Sequence, residues 1–117
     1  MTTGCGAGED LDVEKAAARF ESAVEDQDAG VACALLAPQT RLELEQSSGQ
    51  ACAAALVSEE VPDAGPLRGI DVFGAMAMAR FQSDTLFLAR FDGTWKVMAA
   101  KCSPQEEAPY ECTIKGG

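Results

Sequence analysis

The sequence contains no histidine. That absence removes the commonest general base, the Ser-His and Cys-His nucleophile arrangements, and metal ligation by imidazole. No Cys-x-x-Cys pair occurs, which argues against a zinc ribbon or a thioredoxin-type redox site. A phosphate-binding glycine loop is missing as well. Basic residues are scarce: nine Lys and Arg stand against nineteen Asp and Glu, a net charge of −10. Nucleic-acid phosphates and anionic lipid surfaces both need the opposite balance. The charge serves solubility first, and a basic partner or a cation second. No run of about 18 apolar residues is present, so no segment reads as a membrane-spanning helix. What is there is a chain of 117 residues, 47% of them hydrophobic. That is one domain with a modest core, for which cross-links would be useful.

The five cysteines are Cys5, Cys33, Cys52, Cys102 and Cys112. Cys33 and Cys52 lie in the alanine-rich first half, and Cys102 and Cys112 flank SPQEEAPYE in the second. Four cysteines permit three pairings. The local pairing, Cys33 with Cys52 and Cys102 with Cys112, fits two helices clipped together and a C-terminal loop clipped shut. The alternative is four buried free thiols in a reducing compartment. Pairing implies an oxidising one and leaves Cys5 over.

Residues 1–10 read as a flexible tether and residues 11–117 as a single domain. Val13, Ala17, Phe20 and Val24 recur at helical spacing, with Asp10 or Asp12 as cap. DAGVACALLAP predicts a short buried helix opening at Asp28. PQTRLELEQ predicts another with Pro38 near its first position. In SSGQACAAALVSEE, Ser47 or Ser48 is the expected cap and Cys52, Ala55 and Leu56 share a face. VPDAGP ends the helical half.

Beyond residue 66 the period falls to 2. LRGIDVFGAMAMARF reads as strand with a bend or bulge at Gly74. TLFLARF and TWKVMAAKC are strands joined by Asp92-Gly93, the strongest hairpin signal in the chain. That loop sets Phe91 opposite Thr94, Arg90 opposite Trp95 and Leu88 opposite Val97. Leu86, Leu88, Arg90, Trp95, Val97 and Ala99 then share an inner face, joined by Phe81, Ala79 and Ala77 across a Ser83-Asp84 turn. The outer face carries Met76, Met78, Phe87, Phe91 and Met98, a second contact surface that suits a homodimer or a protein partner. PYECTIKGG predicts a last edge strand. SPQEEAP is a loop.

Two resemblances follow from these residues. Gly4-Cys5 after Thr2-Thr3 resembles the end of a bacterial lipoprotein signal, although an aliphatic residue is more usual at position 2 and the preceding hydrophobic segment is absent. The expectation is a truncated chain whose Cys5 carries the lipid in the longer protein. Helices followed by an antiparallel meander give a helix-on-sheet α+β domain. That order resembles the cone-shaped nuclear transport factor 2-like superfold, with its ketosteroid-isomerase-like and SnoaL-like (cystatin-like) members. More narrowly, ACALLAPQTRLELE, CAAAL, DTLFLARFDGTWKVMAAKC and PYECTIKGG look like a group of small exported or lipid-anchored actinobacterial proteins of unassigned function.

The superfold hosts enzymes and binding modules alike. Its enzymes place acids, histidines or tyrosines in the cone's cavity. The only tyrosine here is Tyr110, in the tail, and Asp71 is the best single candidate for a pocket carboxylate. Arg90 and Trp95 suit recognition of an anion or a planar ligand, or else close the end of the core as a cation–π pair. The expected function is therefore non-enzymatic: an extracytoplasmic domain, lipid-anchored or secreted, that binds a small molecule or a protein through Trp95, Arg90 and Asp71. No cofactor, metal or nucleic acid is expected, and the membrane is met only through a lipid on Cys5. The alternatives are a SnoaL-like or isomerase-like enzyme with an unrecognised site, and a purely structural self-associating domain.

Overall fold

The computed structural model describes residues 5–58, 64–103 and 111–115, without the side chains of residues 5–8, 58, 103 and 111. Four helices precede five strands: α1 (Cys5–Glu25), α2 (Ala29–Leu35), α3 (Pro38–Ser48), α4 (Cys52–Ser58), β1 (Leu67–Phe73), β2 (Met76–Phe81), β3 (Thr85–Phe91), β4 (Thr94–Ser103) and β5 (Glu111–Lys115). The strands form one antiparallel meander in the order β1-β2-β3-β4-β5. The chain is thus an α+β domain with helices packed on one face of a sheet. The SPQEEAP loop beyond Ser103, Tyr110 and the first residues of VPDAGP lie outside the described residues.

Helix α1 starts at Cys5, six residues before the expected domain boundary, so residues 5–10 are helical rather than a tether. Gly6 and Gly8 each cost about 1 kcal/mol against alanine in a helix. The long-range ion pair from Glu9 to Arg90 on β3 favours the added turns. Asp10 and Asp12 accordingly sit inside the helix and cap nothing. Val13, Ala17 and Phe20 form the predicted stripe and are fully buried.

Asp28 stands at the N-cap position of α2, but its side chain makes no capping bond. Pro38 opens α3, as its missing N–H allows. This helix runs on through Ser47 and Ser48 and closes at Gly49 in the left-handed conformation, φ 70°. Those serines therefore do not cap α4. Its first N–H, from Cys52, donates instead to Glu45 Oε2 at 3.0 Å. Cys52, Ala55 and Leu56 are buried as the pattern predicts.

Gly74 proves to be a hairpin turn rather than a bend within one strand. Phe73 pairs with Met76 across Gly74-Ala75, and the bulge falls near Arg68 instead. Asp92 and Gly93 both have positive φ, 51° and 80°, the two-residue turn that suits twisted strands. Phe91 faces Thr94, Arg90 faces Trp95 and Leu88 faces Val97, as predicted. The β2–β3 connection is longer than two residues: Arg80 pairs with Thr85, and Phe81 N–H donates to Asp84 O. The faces survive this shift because it moves the register by an even number.

One irregularity matters most. Phe87 pairs with Ala99 while Leu88 pairs with Val97, so Met98 is an extra residue in β4. Such a bulge reverses the alternation beyond it. Ala100 and Cys102 become the buried residues of β4, and the expected inner position of Ala99 is corrected to half-buried. The bulge also lies where β4 lacks β5 as a neighbour. There the α2–α3 junction covers the strand edge. Leu36 bridges Val97, Ala37 N–H donates to Val97 O at 2.8 Å, and Thr40 Oγ1 donates to Met98 O at 2.8 Å.

Cys33 bonds to Cys52, tying α2 to α4, and Cys102 bonds to Cys112 across β4 and β5. Both pairings are the local ones the sequence favours. They belong to an oxidising environment. No helix among the described residues is long and apolar enough to cross a membrane.

Candidate functional site

Arg90 and Trp95 meet as predicted, with the guanidinium carbon 5.6 Å from the ring centroid. Their surroundings differ from those of an open pocket. Trp95 is only 4% exposed and belongs to the core cluster with Phe20, Leu88 and Val97. Arg90 is also ion-paired with Glu9 of α1. The ring's area is spent on the core, and the cation is spent on the ring and a carboxylate. The pair closes the end of the domain.

Asp71 is paired too. Arg80 Nη2 donates to Asp71 Oδ2 at 3.2 Å, and both side chains are nearly half exposed. Asp71 stands opposite Met78 on the sheet's outer face, so it is not an interior pocket carboxylate. The same outer face shows Phe73, Met76 and Phe91 to solvent, 57%, 45% and 39% exposed. Met78, Phe87 and Met98 are half-buried. Cys5 contributes its backbone to the first turn of α1.

Two features were not foreseen. The first is a buried ionisable cluster. Glu21 is 3% exposed and Asp84 5%. Lys101 Nζ lies 3.5 Å from Asp84 Oδ2, with its side chain 13% exposed. Lys101 has φ 58°, a left-handed conformation uncommon for a residue with a side chain. Neither Glu21 oxygen completes a hydrogen bond of normal geometry. Burial, above all, pushes the Glu21 carboxyl from 4.5 up to about 9. The Asp84 carboxylate adds to the rise by attracting the proton and repelling the anion, Glu25 adds slightly, and Lys101 opposes it. At neutral pH Glu21 is thus a neutral acid beside an Asp84–Lys101 ion pair. Its oxygens have almost no solvent contact, so the cluster is an interior element and not an acid poised over a substrate. The sequence did carry a signal for it. Glu21 is four residues from Ala17 and eight from Val13, on the apolar stripe of α1.

The second feature is an open cleft of about 430 Å³ where α2 and α3 meet β4. Leu36, Pro38 and Leu42 form its apolar wall, with Cys33 at the back. Arg41, Lys96 and Glu45 supply the polar groups. Lys96 crosses the strand edge to donate to Ala34 O at 2.9 Å. Glu45 is engaged by the Cys52 N–H. Among the described residues neither Arg41 nor Lys96 has a carboxylate within ion-pair distance. No linear motif announces this site, because Arg41 and Lys96 are brought together only when the α2–α3 junction docks on β4. Among the described residues no group of acids and cysteines is arranged to hold a metal ion.

Scans against protein-family models, curated proteins and solved structures return no match to this chain.

Proposed function

We propose that the chain is a non-enzymatic, extracytoplasmic binding domain, joined to the membrane by a lipid on Cys5. Its ligand is a small molecule seated in the cleft between α2, α3 and β4. The observation that carries this reading is the combination in one place of a cavity of about 430 Å³, an apolar wall and two cations without carboxylate partners. Small-molecule sites have this composition: a mostly apolar surface with a few convergent polar groups. The disulfides support the compartment, since thiols stay reduced in most cytosols. The finer fold assignment, to the nuclear transport factor 2-like cone, belongs to the same proposal. It is supported by helices preceding an antiparallel meander and by the packing of α1 against the sheet.

The contact region moves from Trp95 and Arg90 to Arg41 and Lys96. The test is a titration of isotope-labelled protein with a mixed library of small carboxylates, amines and neutral aromatics. Amide signals of Ala34, Arg41, Leu42 and Lys96 are expected to shift. Shifts confined to the Trp95 and Arg90 region, or none at all, would overturn the reading.

A second reading has one observation in its favour. Phe73, Met76 and Phe91 lie exposed on the outer sheet face, which suits self-association. Sedimentation velocity at several concentrations decides it. A single monomeric species throughout removes the homodimer.

A further inference from the structure

We propose that the cleft selects a small organic monoanion: one carboxylate on a compact apolar body. The inference rests on the cleft being the binding site and adds the chemical class of what enters it. The chain has only nine basic side chains against nineteen acidic ones. Several of the cations are committed. Arg80 is paired with Asp71, Arg90 with Glu9 and Lys101 with Asp84. Arg41 and Lys96 are not so committed among the described residues, and they line the same opening.

Their donors are available. Lys96 has three N–H groups, of which one is given to Ala34 O. That bond fixes where the ammonium sits and leaves two donors. Arg41 is exposed at the mouth, with a planar fork that matches a carboxylate. The single acid at the site, Glu45, already accepts from Cys52 N–H. Glu45 keeps its charge and further acceptor capacity after that bond, so the lining sets two positive charges against one negative, and a cationic ligand meets a net positive surround.

The body of the ligand is set by the wall. Leu36 is buried, Pro38 and Leu42 flank it, and Leu42 is left 53% exposed at the opening. An apolar group of aryl or short alkyl size would cover that surface. The charge is set by the rest of the molecule. A chain of net charge −10 repels anions at a distance, and the repulsion grows with each charge on the ligand. Arg41 and Lys96 against Glu45 leave the lining one net positive charge, so a monoanion is neutralised there where a polyphosphate is not.

The test compares benzoate and hexanoate with phenyl phosphate, benzyl alcohol and benzylamine on the disulfide-intact protein. Amide shifts and calorimetry are the readouts. Benzoate and hexanoate should shift Ala34, Arg41, Leu42 and Lys96, and should bind more tightly than the alcohol, the amine or the phosphate dianion. Arg41→Ala, an exposed change on α3, should weaken benzoate binding about tenfold or more, the loss expected for one charge-assisted contact. Lys96→Gln should weaken it as well, while benzyl alcohol binding should hardly respond to either. Benzylamine or benzyl alcohol binding the cleft as well as benzoate does would overturn the anion class and leave the cleft as the site. Benzoate shifting only distant amides, or no probe shifting anything, would overturn the site and the class together.

Discussion

Glu21→Gln should stabilise this protein at neutral pH, although it alters a buried residue. In the folded chain the Glu21 carboxyl keeps its proton up to about pH 9, and in the unfolded chain it loses that proton near 4.5. Between those values the unfolded state binds fewer protons, so stability falls as pH rises. The contribution is fully present below 4.5, declines through the interval and is constant above 9. The slope is about 1.4 kcal/mol for each pH unit, which makes the loss at pH 7 about 3 kcal/mol. The groups around the acid give this direction its cause. Asp84 from the β2–β3 turn and Glu25 from α1 both oppose a second negative charge, and Lys101 of β4 offsets them only in part. Glutamine has nearly the same shape, never ionises and offers Asp84 an N–H where the acid offered its proton. Imperfect replacement of that contact costs about 1 kcal/mol, so a net gain of about 2 kcal/mol at pH 7 is expected. Urea unfolding with the disulfides intact, repeated from pH 4.5 to 9, reads both quantities. Wild type should lose stability steadily across the range, and Glu21→Gln should run much flatter and cross above it. Parallel curves, or a variant less stable than wild type at pH 8, would refute the argument that Glu21 is buried as a neutral acid.

The other predictions concern what holds the site in place. Replacing Cys33 and Cys52 together by alanine should cost about 3 kcal/mol in chemical denaturation, as expected for closing a loop of this length. Thiol titration of the unfolded, unreduced chain should find one reactive sulfur, that of Cys5; five would remove the disulfides. Trp95→Ala should cost about 3–5 kcal/mol, the range for a buried large aromatic, whereas Arg90→Ala should cost less than about 1 kcal/mol because its ion pair is partly exposed. Neither should change benzoate affinity once the protein is folded, and a loss in Arg90→Ala would return the site to the Trp95 end. Thr40→Val should cost about 1–2 kcal/mol by thermal unfolding, since it leaves Met98 O without its donor.

Much of the fold was legible because it is local. Periodicity gave the buried stripe of α1, Pro38 gave the start of α3, and Asp92-Gly93 fixed the β3–β4 register to the residue. What escaped depended on partners distant in sequence. Ser47 and Ser48 have good capping chemistry, yet Gly49 ends α3 one residue later and Glu45 caps the next helix from seven residues away. Alternation placed Ala99 inside because nothing in TWKVMAAKC reveals that Met98 is an added residue. Glu21 escaped because Asp84 and Lys101, 63 and 80 positions later, are brought against it only by the fold. Arg90 and Trp95 were correctly paired, but their accessibility was set by α1, whose first turns were taken for a tether.

The bulge at Met98 links the fold to the proposed site. A regular β4 would keep its alternation and offer its edge evenly to β5. With the extra residue, the strand bends where β5 does not reach, and the carbonyls of Val97 and Met98 accept from Ala37 and Thr40. Those two bonds dock the start of α3 on the strand edge. Arg41 follows Thr40 directly, so the register that buries the threonine hydroxyl turns the guanidinium to the opening. Lys96 lies on the near side of the same bulge and reaches Ala34 across the edge. Cys33, joined to Cys52, holds α2 behind them. The two cations are therefore positioned by backbone hydrogen bonds and a covalent link rather than by their own carboxylate partners. That arrangement leaves both charges at the opening, where the proposed anion would meet them.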